Sequence, residues 1–182
     1  MSMFTIKEID PALYRKKTRN ATLIIMAVFL VIGFSSALIA VTYFGEYSSN
    51  KIVLNLLGAF FGLMITAYII KTFFADKPWM QESMYAWQLK RALMHITNVH
   101  KKVQTAAYND DPHALKVMRF YHLGLEHMHT LEANSSALVD MAVEKKEIEA
   151  KMVELGLELN QIEFDPEWVK RYREDYEEED EE

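Results

Sequence analysis

Cysteine is absent from this 182-residue chain, and glycine and proline are scarce, with six and four residues. Without cysteine the protein can form no disulfide framework, no thiolate nucleophile and no cysteine-ligated zinc or iron–sulfur site. Charge is missing locally, because the range 21–75 contains only three charged residues, Glu46, Lys51 and Lys71. A chain divided in this way is neither a uniform soluble globule nor wholly disordered.

Motifs for phosphate binding or nucleophilic catalysis are also missing. The sequence contains no P-loop glycine motif, no G-x-G-x-x-G and no G-x-S-x-G. The formal net charge is -6, and the last 19 residues carry ten acids, which would repel nucleic acid phosphates. We therefore expect no nucleic acid partner, no cofactor and no catalytic residues.

Two long apolar runs lie in the first half of the chain. The first, Ala21–Phe44, has no charge over 24 residues and would measure about 36 Å as a helix. The second, Ile52–Ala75, is equally long and is interrupted by Lys71, whose stem can bring the ammonium group to the headgroups. Since a hydrocarbon core is about 30 Å thick, the runs predict two transmembrane helices joined by the loop 45–51. Their length argues against soluble core helices and against a cleaved signal peptide.

Basic residues flank the two spans unevenly. Five precede the first span and three follow the second, whereas the loop offers only Lys51 beside Glu46. Because lysine and arginine are retained on the cytoplasmic side, we expect both termini in the cytoplasm and the loop outside. The flanking residues are Lys7, Arg15, Lys16, Lys17, Arg19, Lys77, Lys90 and Arg91.

Small residues form a stripe in each span. Gly58 and Gly62 are a GxxxG pair in the second span, and the first span offers Gly33 and Ala37 at the same spacing. Helix association in lipid depends on close packing, which small residues permit. These four residues therefore predict a helix-packing surface. The second stripe either packs within the hairpin or drives homodimerisation, and a partner stripe in the same chain favours the first alternative.

The range 78–160 has the apolar periodicity of a cytoplasmic helical bundle. We expect one amphipathic helix over Trp79–Tyr108, followed by a turn in which Asp111 caps the next helix and Pro112 takes its first position. The apolar pattern is then interrupted once, so 112–160 forms one helix or two. The predicted class is all-α, with a two-helix transmembrane hairpin followed by an antiparallel helical hairpin or a three-helix coiled bundle.

The terminal segments differ from the bundle in composition. The segment 1–20 is basic and is interpreted as a cytoplasmic segment of its own, and 161–182 as an acidic tail with a short helix. Asp165 and Pro166 predict the start of that helix. Its apolar residues could dock on the bundle, and the acidic run Glu177–Glu182 repels itself and is expected to be disordered. The docking residues are Phe164, Trp168, Val169 and Tyr172.

Six histidines in the cytoplasmic region raise a metal hypothesis. His122, Glu126 and His129 are spaced i, i+4, i+7 and share one helix face, and Glu126 with His129 matches the Glu-x-x-His element of di-iron bundles. That architecture needs a second such element and two further carboxylates, and the chain holds one copy. We therefore predict no metal site. The alternative is a small metal-dependent enzyme, or a metal or pH sensor, built on this face.

The segments RFYHLGL, residues 119–125, and LEANS, residues 131–135, resemble an uncharacterised family of small membrane proteins from Gram-negative bacteria, known only as a domain of unknown function. The order of a basic N-terminus, two spans and a cytoplasmic helical region also matches, so the resemblance covers nearly the whole chain. It implies an inner-membrane location. It supplies no activity, cofactor or catalytic residue.

These observations together predict a membrane-anchored helical adaptor or accessory subunit without catalytic activity. Its expected partners are the lipid bilayer and either a second copy of the chain or another membrane protein. Methionines along the predicted helices suit adaptable helix–helix contacts, and ordinary core filling explains them equally well.

Overall fold

The computed structural model describes residues 3–47, 50–134 and 138–173, with 138–140 described by their backbone alone. The elements are, in chain order, strand β1 (Phe4–Thr5), helix α1 (Pro11–Phe44), helix α2 (Lys51–Ile69) with a π-helical continuation (Ile70–Phe74), α3 (Gln81–Thr97), α4 (His100–Tyr108), α5 (Pro112–Glu132), α6 (Leu138–Glu154), strand β2 (Glu163–Phe164) and a 3-10 helix (Pro166–Val169). Apart from two two-residue strands the described elements are helical, so the predicted all-α class is confirmed.

The chain divides into two compact units. We call residues 15–84 the apolar unit, and residues 1–14 together with 85–182 the bundle unit. The composition of segments 1–20 and 161–182 instead predicts that both are separate from the bundle. The boundaries differ because apolar side chains near both ends of the chain join the bundle core. They are Phe4, Ile6, Ile9, Phe164, Val169 and Tyr172.

The apolar unit contains two helices that are long and apolar enough to span a membrane. The first has 34 residues, and α2 with its π-helical continuation has 24. Large apolar side chains on both are exposed, with Phe34 at 73% and Ile52 at 72%, the reverse of what a soluble core helix shows. Helix α1 begins ten residues before the predicted span, because Asp10 accepts a hydrogen bond from the Leu13 amide and Pro11 fits the first helical position.

Helix α5 lies at the centre of the bundle unit. It contacts α4, α6, β2 and the 3-10 helix, and Gly124 lets Leu89 and Leu93 of α3 approach it closely. The apolar seams of these helices meet in one core. Its fully buried members include Ile96, Val103, Leu115, Met118, Phe120, Ile148 and Met152. The structure therefore corresponds to the three-helix alternative, with the first helix divided into α3 and α4.

That division corrects the prediction of one helix over Trp79–Tyr108. Helix α3 ends at Thr97 and α4 begins at His100. The residues at the break, Thr97, Asn98 and Val99, are all weak helix formers. Val99 leaves helical geometry and is only 4% exposed, so the break turns its side chain into the core.

Local capping chemistry sets the limits of α5. Asp111 accepts a hydrogen bond of 2.9 Å from the His113 amide and Pro112 is the first helical residue, as predicted. At the other end Ala133 adopts a left-handed φ of 56°, and the Asn134 amide donates to the His129 carbonyl. Helix α5 therefore stops there, and the open question over 112–160 is settled in favour of two helices.

Strand β1, near the N-terminus, pairs with β2, which follows helix α6. Phe4 pairs with Phe164 and Thr5 with Glu163, in antiparallel orientation. The Phe4 ring centroid lies 5.6 Å from that of Tyr85 and 6.3 Å from that of Phe120. We call this β1–β2 pairing the terminal clasp.

The chain after the terminal clasp docks as predicted. Asp165 accepts from the Glu167 amide at 2.9 Å, Pro166 begins the short helix, and Val169 is fully buried. The helix is of the 3-10 type and Tyr172, just beyond it, is 7% exposed. The acidic run Glu177–Glu182 lies outside the described residues.

Candidate functional site

The predicted packing residues of the apolar unit face one another. A Cβ atom built on Gly58 would lie 2.5 Å from the Ala37 Cα atom, and one built on Gly62 would lie 2.6 Å from the Gly33 Cα atom. No side chain fits in such a gap, so the two backbones are in direct contact. Thr66 continues this face, since it is 2% exposed and donates to the Gly62 carbonyl. The stripe of the second helix is therefore covered by the first helix of the same chain.

The three residues of the metal alternative have different surroundings. His122 is completely buried, with Nε2 at 3.4 Å from Oε2 of Glu144. Glu126 forms an ion pair with Lys145 and is 45% exposed, and His129 is half-buried. Within residues 3–47, 50–134 and 138–173, no group of three or more His, Asp or Glu side chains could hold a metal ion. Two of the three residues, His122 and Glu126, instead contact Glu144 and Lys145 of α6.

Glu144 of α6 lies between two imidazole rings. Its Oε1 accepts a 2.8 Å hydrogen bond from Gln104 Nε2 and is 3.6 Å from Nε2 of His100, while Oε2 approaches His122. Neither ring nitrogen of His122 makes a well-formed hydrogen bond to any described residue. We call His100, Gln104, His122 and Glu144 the histidine–glutamate cluster. It joins α4, α5 and α6 around the buried side chain of His122.

Burial dominates the ionisation of His122. Removal from water lowers its pKa below the ordinary 6.5, and the nearby Arg119 and His100 act in the same direction. The Glu144 carboxylate raises this pKa but does not offset the burial. His122 is therefore neutral at pH 7, beside a group that could stabilise its charged form. Burial also lowers the pKa of three other histidines, His95, His113 and His127.

Arg119 supplies a second polar link from α5. It is 8% exposed, donates from Nε to the Leu159 carbonyl at 2.7 Å and pairs with Glu149 of α6. Arg119, Glu144 and Glu149 are not among the site residues that the sequence predicts. The sequence position of Glu144 does indicate an inward orientation. Glu144 precedes the buried Ile148 by one helical turn and therefore lies on the same face of α6.

The histidine–glutamate cluster can take up a proton. Protonation of His122 would give an imidazolium ion next to the Glu144 carboxylate, at the cost of burying that charge. Because the His122 side chain is fully enclosed, a proton is a more suitable reactant there than an organic substrate. The chemistry that this geometry supports best is a pH-dependent contact between α5 and α6.

These features define an all-α protein with two candidate membrane helices and a helical bundle closed by a terminal clasp. Residues 4–169 match the model of a family described as protein of unknown function, DUF3087, and the chain belongs to this family. The matched range begins at β1 and ends with the 3-10 helix, so it includes both strands of the terminal clasp. No curated protein and no solved structure matches the chain.

Proposed function

We propose that the protein is a membrane-anchored helical adaptor or accessory subunit without catalytic activity of its own. The outward face of α6 carries this proposal. Val143 and Val153 are 67% and 64% exposed, and Ala150 is exposed between them. Their i, i+7, i+10 spacing is that of a coiled-coil seam. Exposed apolar side chains in a row are typical of a surface that binds another helix.

The opposite face of α6 explains how this surface is held in place. Ile148 and Met152 are fully buried in the bundle core. Around them Glu144, Lys145 and Glu149 contact residues of α4 and α5. The bundle core and several polar contacts thus hold α6 in place. Its outward face, with Val143, Ala150 and Val153, is therefore a rigid strip. A rigid strip loses little conformational entropy when it binds.

The adaptor proposal predicts a partner that depends on this strip. Chemical crosslinking in membranes, followed by purification of the full chain, should recover a second copy or another membrane protein. In a Val143→Glu, Val153→Glu double variant we expect at least about a tenfold lower yield, because each buried charge weakens a helix–helix contact. Thr105→Glu on the exposed face of α4 is the control and should retain the partner. Equal yields from the double variant and the control would refute the proposed role of this strip.

We infer further that the apolar unit lies in a bacterial inner membrane with both chain termini in the cytoplasm. The support is the excess of Lys and Arg on the terminal sides of the two helices. Reporter fusions after Ser49 and at the C-terminus test this topology. A cytoplasmic signal from the Ser49 fusion would contradict it.

The histidine–glutamate cluster favours a second candidate function, a response to pH. Such a sensor would change the contact between α5 and α6 when His122 gains a proton. The partner yield described above should then vary between pH 7 and pH 5 in the wild type. In His122→Gln, which cannot be protonated at this position, the change in yield should be clearly smaller. A change as large as that of the wild type would remove the sensor hypothesis.

A further inference from the structure

The outward face of α6 has a spacing that reads the same in both directions along the helix. Its exposed residues Val143, Lys146, Ala150 and Val153 are separated by three, four and three positions. Because an α-helix turns by about 100° per residue, these residues fall within an arc of about 80°. We call them the α6 strip. The strip is symmetric about position 148, where Ile148 is buried on the opposite side of the helix.

A strip with this symmetry is complementary to a second copy that runs in the opposite direction. In such an antiparallel pair, Val143 of each copy lies opposite Val153 of the other, and Lys146 of each lies opposite Ala150 of the other. These pairs are the layers of a short coiled coil. The small Ala150 side chain leaves room for the aliphatic stem of lysine, which can pack on it while the ammonium group stays in water. One register therefore fits all four layers.

A parallel pairing of the same strips is less favourable. It would place Lys146 opposite Lys146 and Ala150 opposite Ala150, so one layer would hold two like charges and another would be underpacked. The antiparallel register instead brings Lys146 of each copy to about 6 Å, along the helix axis, from Glu154 of the other. Both residues are exposed, and neither forms an ion pair with another residue in the described part of the chain. Each therefore meets an opposite charge across the interface.

We propose that the partner of the α6 strip is a second copy of the chain, bound antiparallel through α6 in this register. This pairing rests on the adaptor role of the same strip, for which it names the partner. The seam is about three helical turns long, and so small an interface is weak by itself. Two copies anchored in one membrane meet at a high effective concentration, which compensates for the short seam. The adaptor then acts as a two-fold symmetric dimer of bundle units.

The absence of cysteine permits a direct test in the full-length protein. Two copies with different affinity tags would be produced in the same membrane, one with Val143→Cys and the other with Val153→Cys. Antiparallel pairing predicts a disulfide between the two tags that forms at least about tenfold faster than disulfides in membranes that hold one variant alone. In this register two copies of position 143 lie about 15 Å apart along the helix axis, beyond the reach of a disulfide.

Met94→Cys is the control for random collisions, because Met94 is 56% exposed on α3, a different helix. Faster reaction of either variant alone than of the mixed pair would indicate a parallel arrangement and overturn the proposal. Rates no higher than that of Met94→Cys would also overturn it. The adaptor role would still stand after that second result if crosslinking recovers another membrane protein and the Val143→Glu, Val153→Glu variant loses it.

Charge reversal gives a second readout of the register. Lys146→Glu places a carboxylate near Glu154 of the other copy and should slow the mixed disulfide at least about threefold. Adding Glu154→Lys restores opposite charges and should recover most of the rate. Both positions are exposed, so neither substitution disturbs the bundle core. A double variant as slow as Lys146→Glu alone would contradict this register.

Discussion

At the scale of single residues, His122 and Arg119 are the two polar side chains that α5 buries most deeply in the bundle unit. Both are directed at carboxylates of α6, and both contacts connect helices that are separated in the chain by residues 133–137. Buried polar groups of this kind add little net stability when satisfied and cost much when a partner is lost. Substitutions there should therefore have larger effects than substitutions of surface ion pairs.

Acidification should destabilise the bundle unit through His122. Its pKa is lower in the folded than in the unfolded chain, so the unfolded chain binds more protons once the pH falls below about 6.5. The free energy of unfolding should then decrease from pH 6.5 towards the folded-state pKa, and this effect is absent above pH 6.5. Thermal unfolding of the full chain in detergent, followed by circular dichroism from pH 7 to pH 5, measures this decrease.

His122→Gln should show a shallower loss of stability over the same range. Some pH dependence will remain in this variant, because His95, His113 and His127 also have lowered pKa values. A slope equal to that of the wild type would contradict the assignment of this effect to His122.

Arg119→Lys should destabilise the bundle unit by about 1–3 kcal/mol. The lysine keeps the charge but cannot donate simultaneously to Leu159 and Glu149 in the geometry of the guanidinium group. Arg171→Lys is the control, because Arg171 is 50% exposed and its pairing with Asp111 is a surface contact, expected to contribute less than about 1 kcal/mol. Thermal unfolding of both variants measures the loss of stability in each. Equal losses of stability would argue against a special role for Arg119.

At the scale of secondary-structure elements, the two apolar helices offer a matched pair of glycine substitutions. Gly58→Ala would place a Cβ atom against backbone atoms of Ser36 and Ala37, so the helices must separate, at a cost of about 1–3 kcal/mol. At Gly33 the nearest neighbours of an added Cβ atom belong to the Phe29 ring, at 3.3 Å, so Gly33→Ala should be tolerated. Thermal unfolding in detergent should distinguish the two, and equal stability would show that the backbone contact is not needed.

Elements were predictable from the sequence where local chemistry determines them. Asp111 with Pro112, and Asp165 with Pro166, mark helix starts through side-chain capping and a missing amide, both of which the sequence alone reveals. The break at Asn98 was missed, because the apolar spacing continues across it and only the tertiary position of Val99 makes it favourable. The histidine–glutamate cluster was missed because it requires the relative register of α4, α5 and α6.

At the scale of the whole molecule, the terminal clasp is the feature that the sequence concealed. A strand of two residues has no detectable periodicity, and β1 and β2 are separated by more than 150 positions. The two long apolar helices were predictable because their signal is a long uncharged run, which requires no knowledge of the partner. The division into an apolar unit and a bundle unit thus follows partly from composition and partly from a long-range pairing.

Phe4→Ala should loosen the terminal clasp and destabilise the bundle unit by about 2–4 kcal/mol. The ring of Phe4 contacts Tyr85 and Phe120, and its loss leaves a cavity against the core. Limited proteolysis should then cut more readily near residues 162–164, which pair with residues 4–6 in the wild type. Met3→Ala, at a residue 54% exposed, is the control and should leave the cleavage rate unchanged. The same cleavage rate for Phe4→Ala as for the control would contradict this role of the clasp.

The pairing of residues 4–5 with 163–164 also imposes an order on biosynthesis. Residues 4–9 leave the ribosome before β2, and their contact surface is complete only after roughly 155 further residues have been added. At about 5–20 residues per second, the nascent N-terminus waits about 8–30 s for its binding site. Both long apolar helices emerge during that interval, so each is synthesised in full before β2 is available to pair with β1.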